Sequence, residues 1–327
     1  MRILITGITG FVGSHLVDYI LANFPEVQIF GLARWRSPLD NIRHILDKIM
    51  LEFGDLLDPF SLKTILLRQK PDVIFHLAAQ SYVPFSFSSP VATLNPNLIG
   101  TCNLLEAVKE LKFAADYDPI IHICSSSEVY GQVKENEVPI KEDNPFRPAS
   151  PYAVSKVAED MLAFQYWLSW KIKTIRTRMF THTGPRRGEV FAESNFAKQI
   201  AAIEVGLAPP VVKVGNLESI RTFLDVRDAV KAYWLLVDKC PPGEVYNIGG
   251  AETMTVGEML NRLLKLSKVK NITVEVDSSR LRPSDVTLQI PCIDKFAAAT
   301  GWKPEIKFNK TLEDLLDYWR DYFRREK

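Results

Sequence analysis

Cysteine is scarce in this chain. Only four occur in 327 residues, at Cys102, Cys124, Cys240 and Cys292, and no two form a C-x-x-C pair. Such scatter argues against a structural metal site and a disulfide framework, and suits reduced thiols in a cytoplasm. Net charge is nearly absent as well: 40 Lys and Arg against 39 Asp and Glu leave +1. No overall field therefore draws the chain to nucleic acid or to an anionic membrane. No apolar run approaches the roughly 20 residues that span a bilayer. Because the first apolar run begins at residue 2, the expectation is that no signal peptide precedes the fold. Internal repeats and low-complexity segments are missing too. These absences leave a globular cytoplasmic protein, organised as one two-part unit.

What is present is concentrated at the start. Residues 1–6 form a short, mostly apolar run, and Gly7, Gly10 and Gly13 follow it in a G-x-x-G-x-x-G spacing. An amphipathic stretch over 14–21 comes next. Strand, glycine turn and helix in that order make an anion site from free backbone N–H groups at a helix N-terminus. Gly7 would make the tight turn, Gly10 would admit a pyrophosphate, and Gly13 would let strand and helix pack closely. A ligand-free strand-to-helix connection is the competing reading.

Apolar strand segments recur at 28–33, 49–53, 72–77, 120–124 and 174–178, separated by helical stretches at 61–68, 98–111 and 155–170. This alternation predicts a Rossmann-type, doubly wound parallel α/β sheet covered on both faces. Beyond residue 180 turns become denser. Helices are expected there at 196–205, 226–237, 255–266 and 311–325, with strands at 244–248 and 272–276. The reading is a dinucleotide domain over 1–180 with a return segment near 215–248, and a smaller C-terminal α/β substrate lobe mainly over 181–327.

The end of the second strand selects between dinucleotides. An acid there favours NAD, whereas arginine accommodates the 2′-phosphate of NADP. The segment Ala33-Arg34-Trp35-Arg36-Ser37 holds no acid and two arginines, which points to NADP; a solvated basic turn is the alternative. Asp55 and Leu56, past the third strand, read as an adenine contact or as a loop cap.

Two stretches carry reactive groups. Ser125-Ser126-Ser127-Glu128 ends the fifth strand, and Tyr152-Ala153-Val154-Ser155-Lys156 opens a helix behind Ser150-Pro151. Tyr152 and Lys156 are four residues apart and share a helix face. A neighbouring ammonium favours phenolate, and the Ser126 hydroxyl can bond the same substrate oxygen. Taken alone, a Tyr-x-x-x-Lys spacing is commonplace; behind a glycine turn and beside Ser126 it reads as a reaction centre.

These residues resemble the extended short-chain dehydrogenase/reductases that act on nucleotide sugars, over essentially the full length. The likeness rests on residues 6–13, on His76-Leu77-Ala78-Ala79-Gln80, and on Ser126, Tyr152 and Lys156. Within that family the chain is most similar to GDP-mannose 4,6-dehydratases and GDP-6-deoxy-4-keto-mannose reductases. The first likeness lies in residues 34–37, 79–83, 125–128 and 184–189, and the second in 195–199, 214–218 and 225–228. Four positions depart from the dehydratase pattern: Phe11-Val12 replaces Gln-Asp, Ser126 replaces Thr, and Thr181 replaces Asn before His182.

The resemblance implies a catalytic set of Ser126, Glu128, Tyr152 and Lys156. It implies an NADP site along Gly7, Thr9, Gly10, Phe11, Val12, Gly13, Arg34, Arg36, Asp55, Leu56, Leu77, Ala78, Ala79, Gln80, Tyr152, Lys156 and His182. A GDP-sugar would meet Ser81, Val83, Ser126, Glu128, Thr181, Arg187, Lys198, Val214, Asn216, Arg221, Arg282 and Asp285. Tyr152 would take the C4 hydroxyl proton and Glu128 the C5 proton before water leaves C6. A reductase or epimerase needs only Tyr152, Lys156 and Ser126, and a cofactor-binding regulator would need none of this chemistry. Relatives form dimers or tetramers, so a homodimer or homotetramer is expected.

Overall fold

The computed structural model describes residues 1–325. Its strands are β1 (Arg2–Thr6), β2 (Gln28–Ala33), β3 (Met50–Phe53), β4 (Val73–His76), β5 (Ile120–Ser126), β6 (Thr174–Met179), β7 (His182–Thr183), β8 (Val211–Val214), β9 (Ile220–Asp225), β10 (Val245–Ile248), β11 (Glu252–Thr255), β12 (Thr273–Val276) and β13 (Leu288–Gln289). Its helices are α1 (Phe11–Asn23), α2 (Pro59–Gln69), α3 (Val83–Ser88), α4 (Pro90–Leu94), α5 (Gly100–Ala115), α6 (Pro151–Trp170), α7 (Ala192–Glu204), α8 (Val226–Lys239), α9 (Val256–Leu266), α10 (Asp294–Thr300) and α11 (Phe308–Arg325).

Seven strands form one sheet in the order β10-β6-β5-β4-β1-β2-β3, with every pairing parallel. Strand residues alternate between two buried layers, as period-2 geometry requires. Ile3, Ile5 and Phe75 pack with α1 and α8, while Leu4, Ile74 and Ile121 pack with α2, α5 and α6. Chain order reverses between β1 and β4, and a crevice opens outside the carboxyl ends there.

The rest of the chain divides its loyalties. Tyr233 and Trp234 of α8, Tyr246 and Ile248 of β10, Phe296 of α10 and Trp302 all lie in the first layer of the large sheet. A separate core joins α7, α9 and α11 to β8, β9 and β11, around Phe196, Phe223, Met259, Leu312 and Trp319. Beside it, β9 pairs with β11, β13 and β7, and β8 pairs with β12.

Several elements differ from the sequence expectations. The first helix begins at Phe11 rather than 14, immediately after Gly10. The stretch expected as a helix over 98–111 is the end of a nearly continuous run from Pro90 to Ala115 with a π-turn at Asn95–Ile99. Pro84 and Pro90 each sit in the first turn of their helices, where the missing N–H costs nothing, whereas Pro96 lies within the π-turn. The strands β7, β8, β9, β11 and β13 were not expected; each has six residues or fewer.

Candidate active site

The glycine loop is built by close approach. Gly7 has φ +73°, and a Cβ there would sit 2.9 Å from the Ala78 backbone. At Gly13 a Cβ would lie 2.4 Å from the Gly7 carbonyl oxygen. Thr6 fixes the opposite wall: its Oγ1 accepts the Leu77 and Ala78 N–H groups at 3.2 and 3.1 Å and bonds His76 Nδ1 at 2.9 Å. Helix α1 begins at Phe11 behind the N-cap Gly10, with no side-chain cap and no acid in its first turn, so its leading N–H groups face the crevice free for an anion.

A cavity of about 760 Å³ runs over this loop. Gly7, Thr9, Gly10, Phe11, Val12, Gly13, Arg34, Asp55, Leu56, Leu77, Ala78, Ala79, Gln80, Tyr152, Lys156 and His182 all line it. A dinucleotide fits this donor set and this cradle. Arg36 is not among the lining residues: the Ser37 N–H bonds the Arg34 carbonyl in a tight turn, and the Arg36 guanidinium lies 4.5 Å over the Trp35 ring. Ser37, Asn41 and Arg186 line the cavity without having been expected. Arg186 ties the lobes, donating to His15 Nδ1 at 3.0 Å and to the Asn41 carbonyl at 3.2 Å and pairing with Asp18. Burial, helped by Arg186, lowers His15 to about 4, so the ring is neutral and its Nε2–H donates to the Pro185 carbonyl.

A second cavity of about 690 Å³ meets the first at Ser126, Tyr152, His182 and Arg187. Ser81, Val83, Ser126, Glu128, Thr181, Arg187, Asn216, Arg221, Arg282 and Asp285 line it. Two expected contacts do not. Val214 is fully buried because strand alternation turns Val212 and Val214 into the small core and Lys213 outward. Lys198 pairs with Glu189 and lies 5.2 Å over the Trp319 ring, while Asn195 takes the cavity wall. Asp285 organises rather than reaches: it accepts from Asn216 and Ser219 at 2.9 and 3.0 Å and faces Arg221 and Arg282 at 3.6 and 3.7 Å.

Gln289 also lines this cavity, and no motif signalled it. It is 2% exposed; its Oε1 accepts from Ser127 at 2.9 Å, and its Nε2 has no protein partner. His182 likewise donates from Nδ1 to the Phe180 carbonyl at 3.0 Å and leaves Nε2 unpartnered; burial and then Arg187 lower it to about 3, so the ring is neutral.

The reactive groups converge where the cavities meet. Ser150 caps α6, accepting from the Ala153 N–H at 3.0 Å, and so sets Tyr152 in the first turn. The π-turn aims Asn97 between the Gln80 loop and α6: it exchanges bonds with Gln80 and donates to Ser155 Oγ at 2.9 Å. Lys156 Nζ donates to the Cys124 carbonyl at 2.8 Å and to Glu159 at 2.7 Å. Burial pushes the Tyr152 phenol above its ordinary value, and the Lys156 ammonium and the Ser126 hydroxyl pull it back. Burial also raises Glu128, opposed by Arg221 and Arg282. This arrangement can exchange a proton at one oxygen through Tyr152 and at a second position through Glu128.

Comparison with known proteins agrees with this geometry. The family described as "GDP-mannose 4,6 dehydratase" matches residues 4–315. A GDP-6-deoxy-D-mannose reductase of Pseudomonas aeruginosa is 34% identical over 325 residues, covering 99% of each chain. A GDP-mannose 4,6-dehydratase of Vibrio cholerae serotype O1 is 32% identical over 350 positions, covering 96% of this chain and 92% of that one. The solved structure of RMD from Pseudomonas aeruginosa complexed with NADPH superposes with a TM-score of 0.84 at 33% identity, covering 98% and 99%. The chain belongs to the GDP-mannose 4,6-dehydratase family of extended short-chain dehydrogenase/reductases.

Proposed function

We propose that this protein is an NADP-dependent GDP-mannose 4,6-dehydratase, working in the cytoplasm as a homodimer or homotetramer. One observation supports the dehydratase over simpler chemistry: Glu128 lines the sugar cavity two residues from Ser126 and beside Arg221, placed to serve a second proton transfer. Bound NADP would supply hydride acceptance at C4 and hydride return at C6. The protein's own groups do the rest. Tyr152, as phenolate, takes the C4 hydroxyl proton; Ser126 steadies that oxygen and Lys156 holds the charge. The C4 ketone acidifies C5, and Glu128 removes the C5 proton as water leaves C6. Arg187, Arg221 and Arg282 would receive the diphosphate through multi-donor guanidinium groups.

A second reading, a GDP-4-keto-6-deoxymannose reductase, is favoured by the 34% identical relative. Phe11-Val12, which line the cofactor cavity, depart from the dehydratase pattern and so weaken the first reading. The experiment is direct. Purified protein and GDP-mannose without added reductant should give a 4-keto-6-deoxy product lighter by one water. Turnover seen only with NADPH and a keto-sugar establishes the reductase instead.

Arg34, not Arg36, should govern cofactor choice. Arg34→Ala is expected to weaken NADP binding by roughly 10-fold or more, the loss of a charge-assisted bond worth about 1.5–3 kcal/mol, with NAD binding little changed. Arg36→Ala, outside the cavity, should leave both affinities near native. Equal NADP and NAD losses on replacing Arg34, read by calorimetric titration, would remove the 2′-phosphate assignment.

A further inference from the structure

The proton relay described above makes no use of Glu159, a carboxylate buried to 1% exposure one helical turn beyond Lys156. Its Oε2 accepts from Lys156 Nζ at 2.7 Å, and the two side chains keep only 2% and 5% of their surface. The ammonium has a second acceptor, the Cys124 carbonyl at 2.8 Å, which leaves one N–H for the cavity that Lys156 lines. A buried ammonium with a single carbonyl acceptor is poorly held, because burial disfavours its charged form.

Among the described residues, no other ionisable neighbour gives the Lys156 ammonium a hydrogen-bonded carboxylate. From β4 and β5, His76 and His122 face the ammonium as neutral rings, both lowered to about 3 by burial. Cys124 on β5 and Tyr233 on α8 bond each other at 3.1 Å, and burial raises both. On α6 itself, Asp160 is engaged by Arg176 and Arg178 at 3.0 and 2.9 Å. Tyr152 is the group that Lys156 serves. Among the described residues, Glu159 is thus the one carboxylate in contact with Lys156.

We infer that Glu159 is a positioning residue whose carboxylate clamps the Lys156 ammonium from behind, keeping it charged and aimed at Tyr152. The pair resists burial unequally. On Lys156 burial is the largest single influence, but Glu159, followed by Tyr152 and Cys124, together outweigh it and raise the ammonium; on Glu159 burial prevails and lifts the carboxyl to about 7. The ammonium is the more firmly charged member because it keeps the Cys124 carbonyl as well. The inference rests on the proposed relay for its consequence, though not for its geometry.

The test compares wild type with Glu159→Gln, which keeps the shape and removes the charge. Lysine labelled with ¹³C at Cε reports ammonium titration by NMR without any turnover. The Lys156 signal should titrate at least about one pH unit lower in the variant. The alkaline limb of kcat/KM should move down with it, because a neutral amine no longer supports the Tyr152 phenolate. If the Glu159→Gln protein does not accumulate, Glu159→Asp gives a smaller step in the same direction. A Lys156 that titrates at the same pH in wild type and variant overturns the inference, even if activity falls by a uniform factor. A protein that turns over no sugar nucleotide refutes the proposed function and leaves the NMR comparison to decide on Glu159 alone.

Discussion

Tyr152→Phe is expected to lower turnover about 10²- to 10⁴-fold, the usual contribution of a positioned acid–base group, while cofactor affinity stays within roughly threefold of native. The phenol is 8% exposed, at the point where the two cavities meet, so its hydroxyl is the proton acceptor both ligands can reach. Phe keeps the ring that fills this wall and deletes only the oxygen. The pH dependence has a definite sign. Burial holds the Tyr152 phenol above its ordinary value and Lys156 pulls it back, so the phenolate fraction grows as pH rises. Oxidation at C4 should therefore accelerate toward alkaline pH in the native protein and lose that limb in the variant. Product mass against time checks the rate, and more than a tenth of native turnover in Tyr152→Phe would remove this residue from the chemistry.

The parts of this site that were legible in the sequence are those fixed by local geometry. A glycine spacing after an apolar run and a Tyr four residues before Lys on a helix each specify a shape within one turn. The structure puts both groups on the same crevice. Positions that depend on strand facing were harder to read. Val214 looked like a lining residue until β8 paired with β12 and turned it inward. Lys198 and Arg36 found other partners, Glu189 and the Trp35 ring, because long cations settle on whatever surface is adjacent. Gln289 had no local signature at all. It reaches the second cavity because β13 pairs with β9 and sets Gln289 opposite Arg221. Asn97 was hidden for a related reason: its aim depends on the π-turn at Asn95–Ile99, which has no signature in hydrophobic periodicity.

Glu128→Gln separates dehydration from every other step. The amide matches the carboxylate in size and keeps the backbone bond from Glu128 N–H to Ser126 Oγ at 3.2 Å, so the C4 site should be undisturbed. It cannot accept a proton from C5. Loss of water should fall by about 10²- to 10⁴-fold, while the reversible C4 oxidation continues. Two signals distinguish these outcomes: exchange of the C5 proton with deuterated solvent should cease, and the absorbance of reduced nicotinamide should rise on adding GDP-mannose and then stall. The acid limb tests the same residue in the native protein. Burial raises the Glu128 carboxyl above the ordinary glutamate range, against the pull of Arg221 and Arg282. A base so placed loses its charge as pH falls through that raised value, so water loss should fade at a higher pH than a solvated glutamate would allow. Arg221→Gln removes one opposing cation and should move that limb higher still. The reductase reading makes the contrary demand: a keto-sugar reduced through Tyr152 and Lys156 needs nothing from Glu128. Native dehydration by Glu128→Gln would dismiss it as the base. Absence of dehydration in both proteins, with keto-sugar reduction equal in the two, assigns the site to the reductase.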